Sequence, residues 1–109
     1  MITFIARMKV RPENAPAYEA LLAEVRDRTR ANEPGVIYYD FGVSADAPGE
    51  YVVVEVYRDA AAHAAHMATP WVTASIPKSR ELVDGGFDIA QYVSPGTKPA
   101  MRQFDGGNA

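Results

Sequence analysis

The chain has 109 residues and a formal net charge of −3, and its length is typical of a single domain. Hydrophobic residues make up 48% and charged residues 23%, a globular composition whose scattered basic residues lack the positive surface needed to bind nucleic acid or an anionic membrane. No cysteine is present, which excludes disulfides, thiolate metal sites and cysteine nucleophiles.

The first half of the chain predicts a strand, a helix and a hairpin. Residues 2–10 alternate between two sides, which is typical of a half-buried strand. Apolar residues recur at helical spacing over residues 15–31, and Pro34-Gly35 ends this predicted helix. Two stretches rich in aromatic and β-branched residues, 36–43 and 51–58, flank a turn-forming segment and predict an antiparallel hairpin.

The second half predicts two short helices and a last strand. Asp59 is a candidate cap for an alanine-rich helix over residues 60–68. Thr69-Pro70 ends that helix and can begin another over residues 71–83, because proline fits the first turn. A glycine pair follows, and residues 87–93 alternate as a strand.

This order of elements predicts an α+β fold of the ferredoxin-like type, with split β-α-β halves forming a four-stranded antiparallel sheet. We expect this domain to cover residues 1–94 and an irregular tail to cover residues 95–109. Since the N-terminus does not resemble a signal peptide and no segment has the length of a membrane span, we expect a cytoplasmic protein that does not enter a membrane.

Both faces of the predicted sheet carry large apolar side chains, although the helices can cover only one of them. The simplest cover for the second face is the same face of another copy, which predicts a homodimer. The alternative is that these apolar residues are scattered on an ordinary protein surface.

The chain has two histidines, His63 and His66, in the alanine-rich helix. Their spacing of three suits a metal pair, but no third ligand follows at a helical step, so we predict no metal site. We expect His63 on the surface and His66 between the helix and the sheet. There the imidazole can either transfer a proton near neutral pH or simply bond to the backbone.

Glu55 interrupts the apolar run of a central strand. A buried carboxylate must be paired, hydrogen-bonded or protonated, because burying it alone is costly. Glu55 is therefore either a proton acceptor in a pocket or an ion-pair partner that fixes the dimer, for instance with Arg7 or Arg58. Of the two, the structural role is the one we favour.

Several of these features occur in a characteristic order: Glu33-Pro34-Gly35, Tyr39, Glu55 within the run 51–57, His66 and Thr69-Pro70. This pattern, with the N-terminal strand, resembles the antibiotic biosynthesis monooxygenase family of dimeric α/β-barrel proteins. The similarity extends over about residues 1–93. The resemblance implies a protomer whose sheet packs on that of its twin to form a barrel, with a pocket between each sheet and its own helices.

The resemblance also implies a monooxygenase that oxidises a small aromatic, quinol or polyketide-like molecule with molecular oxygen and no cofactor. In that chemistry the phenolate substrate activates oxygen, and the protein supplies an apolar cavity and a proton acceptor. The site residues that it implies are Glu55 or His66 for the proton, Trp71 beside His66 at the pocket mouth, and Tyr39, Phe41 and Phe4 as the substrate-binding lining.

The chain departs from the family in two places. Many relatives carry a second histidine after Thr69-Pro70, where this chain has Trp71, which favours stacking on an aromatic ligand. The haem-degrading branch has an asparagine where this chain has Ala6, so haem is not expected.

Two alternative functions stay open at this point. A branch that isomerises a small phosphorylated signalling metabolite shares a similar pattern, and basic groups in the cavity would favour it. A non-catalytic dimeric ligand-binding module is the other alternative, since a fold alone does not determine function.

Overall fold

A computed structural model describes residues 1–101, and residues 102–109 of the predicted tail lie outside this part. The elements, in chain order, are β1 (Ile2–Lys9), α1 (Ala15–Asn32), β2 (Val36–Val43), β3 (Glu50–Tyr57), α2 (Ala60–Met67), α3 (Pro70–Leu82) and β4 (Asp88–Val93). Across residues 1–101 no helix has both the length and the apolar character needed to cross a membrane.

The four strands form one antiparallel sheet in the order β2-β3-β1-β4, which confirms the predicted ferredoxin-like fold. The helices cover one face, where alternate residues of β1 and β3 are buried. The register places four side chains in one row across this face, each opposite its neighbour: Tyr39, Glu55, Phe4 and Gln91. The candidate site is built around this row.

A β-bulge in β2 determines which of its residues face the helices. Val36 pairs with Tyr57 and Tyr38 pairs with Val56, so Ile37 is the extra residue. The bulge breaks the strict period of two at the start of this strand. Val36 therefore packs against the same core as the buried Tyr39.

Helices α2 and α3 begin at side-chain caps. The Asp59 carboxylate accepts a hydrogen bond from the backbone N–H of Ala62 at 2.8 Å, which confirms the predicted cap. The Thr69 hydroxyl accepts one from the N–H of Val72 at 3.4 Å, and Pro70 occupies the first turn of α3. These two caps fix where α2 and α3 begin over the sheet.

Gly35 allows α2 to approach the start of β2 closely. A Cβ atom at Gly35 would lie 2.7 Å from the Cβ of Ala62, a distance that real Cβ atoms essentially never show. The Gly35 carbonyl also accepts a hydrogen bond from the N–H of Arg58 at 2.9 Å. This close packing brings α2, which carries His66, beside the end of α1 at Glu33.

The segment that follows β4 folds back onto the sheet. The side-chain amide of Gln91 donates to the Ala100 carbonyl at 3.1 Å and accepts from its N–H at 2.8 Å. Ala100 is buried against Ile2, Phe4 and Tyr57. The described tail therefore covers one end of the core beside the row of site residues.

Candidate active site

A cavity of about 130 Å³ lies between the sheet and its helices. Its apolar lining comes from all three helices and from the strands, and includes Met8, Leu22, Val25, Val53, Val72, Ile76, Phe87 and Ile89. An engineered apolar cavity of about 150 Å³ is large enough to bind benzene. The space therefore suits a single aromatic ring.

Glu33, the residue that follows α1, holds two side chains at the edge of this cavity. Its carboxylate lies 2.9 and 3.2 Å from Nδ1 of His66 and accepts a hydrogen bond from Nε1 of Trp71 at 2.9 Å. A carboxylate only accepts, so Nδ1 of His66 carries the proton, and Nε2 is left with its lone pair when the ring is neutral. Glu33 thus sets both the orientation and the tautomer of His66.

Glu55 lies on the helix-covered face, on the other side of His66. Its Oε1 accepts a hydrogen bond from the Tyr57 hydroxyl and lies 3.8 Å from Nε2 of His66. Burial raises the pKa of the Glu55 carboxyl, and the nearby Glu33 adds to this, whereas His66 and the Tyr57 hydrogen bond oppose it. The site therefore holds a carboxylate that is a stronger base than one in water.

The predicted ion pair between Glu55 and Arg7 or Arg58 is wrong. The register places Arg7 opposite Val52 on the uncovered face, and Arg58 pairs with Asp59 at 3.5 Å. The reason is the direction of Glu55, which shares the face of the buried Val53. Alternation along a strand shows which residues share a face, but it does not show which of the two faces the helices cover.

Tyr39 lies directly across the strand pair from Glu55, and its ring centroid is 5.3 Å from that of His66. Burial raises the pKa of the Tyr39 phenol well above its ordinary value, and the Glu55 charge raises it further. The phenol is therefore protonated at neutral pH and can donate a hydrogen bond to a ligand oxygen. The buried Tyr57 phenol has a raised pKa for the same two reasons.

His63 was expected on the surface, and this prediction is wrong because its ring is 5% exposed. The imidazole stacks on Phe4 at 4.5 Å with an interplanar angle of 24°, and it meets the Tyr57 ring edge-on at 5.0 Å. The spacing of three to His66 places both histidines on the inner side of α2. Burial and, secondarily, His66 lower the pKa of His63 to about 4.

Phe41 was predicted to line the cavity and does not. The ring of Phe41 packs against the edge of the core, with the Arg26 guanidinium 5.4 Å from its centroid. Trp71, expected at the pocket mouth, packs against the edge of the core and is tied to the site by its bond to Glu33. Tyr39, Phe4, Glu55 and His66 do meet around the cavity, as the sequence suggested.

Glu33 and His63 were not predicted as site residues. The signal for Glu33 was its place immediately before Pro34-Gly35, at the junction of the first helix and the hairpin.

Within residues 1–101 no group of three potential metal ligands is close enough to hold a metal ion. The polar groups that remain can orient a ligand and move a proton.

The comparisons with known proteins agree with this architecture. The profile of the antibiotic biosynthesis monooxygenase family matches residues 1–78. Rv0793 from Mycobacterium tuberculosis is 31% identical, and the match covers 85% of this chain and 93% of that one with a TM-score of 0.78. Protein SO0527 from Shewanella oneidensis is 30% identical, and the match covers 84% of this chain and 87% of that one with a TM-score of 0.75.

A third solved structure, described as an antibiotic biosynthesis monooxygenase, is 28% identical with a TM-score of 0.78, and the match covers 86% of this chain and 98% of that one. No protein with a curated description matches the chain. The family profile covers well over half of the sequence and includes β1 to β3, α1, α2 and most of α3. The chain therefore belongs to the antibiotic biosynthesis monooxygenase family.

Proposed function

We propose that the protein is a cofactor-independent monooxygenase that oxidises a small phenolic or quinol ring with molecular oxygen. The observation that carries this proposal is the half-buried carboxylate of Glu55 on the wall of an apolar cavity large enough for one ring. A site of this kind can take the proton of a phenol and hold the resulting electron-rich ring away from bulk water.

In the proposed reaction Glu55 takes the proton of a ring hydroxyl. Its Oε1 already accepts from Tyr57, which leaves Oε2 for the substrate. Tyr39 donates a hydrogen bond to the developing phenolate. His66, which Glu33 holds in place, lies beside the Glu55 carboxyl as that carboxyl takes the proton. The groups that move and stabilise charge therefore come from three different elements around one ring-sized space.

The phenolate supplies all the electrons that the reaction consumes. Oxygen adds to a ring carbon and gives a hydroperoxide, from which water leaves as a carbonyl forms. One oxygen atom remains in the product and the other becomes water, so the four electrons that reduce the oxygen molecule come from the substrate. The protein's part is to remove the proton, orient the ring and exclude water.

The lining of the cavity favours this proposal over an isomerase acting on a phosphorylated metabolite. Among the described residues that line the cavity, neither lysine nor arginine occurs, and the basic side chains are the two histidines. Phosphate recognition normally relies on arginine, lysine or backbone N–H groups at a helix N-terminus. An uncharged aromatic ring fits this lining better.

The test is oxygen uptake with a panel of hydroquinones, naphthohydroquinones and anthrones, with heat-denatured protein correcting for spontaneous oxidation. We expect uptake with the native protein, highest for single-ring substrates, and one ¹⁸O atom from ¹⁸O₂ in the product. Return of oxygen on addition of catalase would indicate an oxidase that releases peroxide. Absence of protein-dependent oxygen uptake with every substrate of the panel would reject the monooxygenase and favour the non-catalytic ligand-binding module.

We also propose that the protein works as a homodimer through the uncovered face of the sheet. This face presents Ile5, Val54 and Val56 half-buried, with Tyr38 48% and Tyr92 61% exposed. An apolar face of this kind on a small domain is typical of an interface.

Light scattering should give twice the 11.9 kDa of one chain. Val54→Lys, which places a charge at the centre of this face, should give one chain mass. Ala74→Lys adds the same charge on an exposed helical position and should leave the dimer intact. A wild-type mass of 11.9 kDa at micromolar concentration would contradict the proposal.

A further inference from the structure

His63 is a buried imidazole to which the proposed reaction gives no role. The His63 ring stacks on Phe4 and contacts the Tyr57 ring edge-on, so its packing is explained. The two ring nitrogens of His63 have no hydrogen-bond partner within residues 1–101. In this part of the chain the one fully buried side-chain polar atom without a partner is Oγ1 of Thr29. Neither ring nitrogen of His63 belongs to this fully buried class, and the His63 side chain lines the cavity.

An unpartnered imidazole in a largely apolar cavity is costly unless a ligand satisfies it. Because the pKa of His63 is lowered to about 4, the ring is neutral near pH 7. A neutral imidazole has one N–H donor and one lone-pair acceptor. It can therefore accept from a hydroxyl or donate to an oxygen, but it does not attract an anion strongly.

The position of His63 relative to Glu55 sets the spacing of the two polar ends. Phe4, on which His63 stacks, is the cross-strand neighbour of Glu55. Neighbouring strands lie about 4.8 Å apart, which is on the order of the width of one aromatic ring. Since Glu55 and His63 both line the cavity, a ring whose first hydroxyl meets Glu55 can present a second oxygen to His63.

We propose that His63 hydrogen-bonds a second oxygen of the substrate, so that the cavity selects a single aromatic ring carrying two hydroxyl groups. This inference rests on the proposed function in that it takes the same cavity as the substrate site. It makes His63 a specificity-determining residue and narrows the substrate class to dihydroxybenzenes. A phenol with one hydroxyl would leave the ring nitrogens without a partner, which is how a polar site rejects an analogue that lacks the matching group.

The test is a binding measurement without oxygen, so that it does not depend on turnover. Calorimetry compares hydroquinone, resorcinol and catechol with the cresol of the same substitution pattern, in which a methyl group replaces one hydroxyl. For wild type, at least one diol should bind about 3- to 10-fold more tightly than its cresol, the value of one hydrogen bond. In His63→Phe, which keeps an aromatic ring for stacking, this preference should fall to about one.

A second readout follows the ring nitrogens of His63 directly in the wild-type protein. Because the chain contains two histidines, ¹⁵N-histidine labelling gives ring signals from His63 and His66 only, and His63→Phe assigns them. The preferred diol should shift the ring-nitrogen signals of His63, and its cresol should not.

The two possible failures are distinguishable. A diol preference that survives in His63→Phe, or His63 signals that respond equally to diol and cresol, would assign His63 a packing role only and overturn the inference. A selective response of His63 without any oxygen uptake would keep the inference and reject the monooxygenase.

Discussion

We expect Glu55→Gln to lower the rate of oxygen consumption by about 10²- to 10⁴-fold, the usual contribution of a positioned proton acceptor. The glutamine has nearly the same shape, and its carbonyl oxygen can still accept the Tyr57 hydrogen bond. What it loses is the ability to take a proton. Steady-state oxygen uptake with the best substrate measures the effect.

The same substitution should raise the free energy of unfolding at pH 7. The pKa of Glu55 is raised above its ordinary 4.5 by burial, so the folded state binds this proton more tightly than the unfolded state. The charged carboxylate therefore lowers stability as pH rises from the ordinary pKa through the folded pKa, and above that range the loss is complete. The advantage of Glu55→Gln should shrink as pH falls through the folded pKa and vanish below the ordinary 4.5, where the group is protonated in both states.

Glu19→Gln is the matched control, because Glu19 also accepts a hydrogen bond from a tyrosine, Tyr51, but does not line the cavity. It should leave the rate near that of wild type. A rate for Glu55→Gln within a factor of three of the control would show that Glu55 is not the proton acceptor. The wild-type rate should also fall on acidification through the raised pKa of Glu55.

Glu33→Ala should produce the largest loss of stability, about 2–5 kcal/mol. The substitution leaves two donors, Nδ1–H of His66 and Nε1–H of Trp71, without the acceptor that they share. An unsatisfied buried donor costs about 1–3 kcal/mol. Denaturant unfolding measures the change, and activity should fall as well because the His66 ring is no longer held.

Glu24→Ala controls for the loss of a glutamate, since Glu24 is 61% exposed and pairs with Arg28 at the surface. Its effect should stay within about 0.5 kcal/mol. Trp71→Phe removes one of the two donors, so Glu33→Ala should cost less in that background than in wild type. Equal costs in both backgrounds would show that the Glu33–Trp71 bond contributes nothing to stability.

The fold could be predicted from the sequence because its signals are local. Alternation in β1 and β3, the helical spacing in α1 and the caps Asp59 and Thr69 each depend on a few neighbouring residues. The order of strands and helices along the chain then allows few ways of arranging the strands in one sheet. The bulge at Ile37 was not predicted, since one extra residue leaves no trace in a short apolar strand.

The site was predicted only in part, because it depends on contacts between distant residues. Glu33 and His66 are brought together by α1, α2 and the close approach at Gly35, and no local pattern contains that contact. Phe41 was expected to line the pocket on the basis of the resemblance alone. His63 was misplaced although its spacing from His66 indicated a shared helix face.

The bulge in β2 also affects how copies of this chain can meet. β2 is an edge strand, and its outer row of N–H and C=O groups could serve as a template for a strand of another molecule. The irregularity at Ile37, whose side chain is 62% exposed, twists this edge and interrupts the even ladder that fibrillar stacking requires. The bulge thereby protects this edge of the sheet from unlimited strand pairing between molecules.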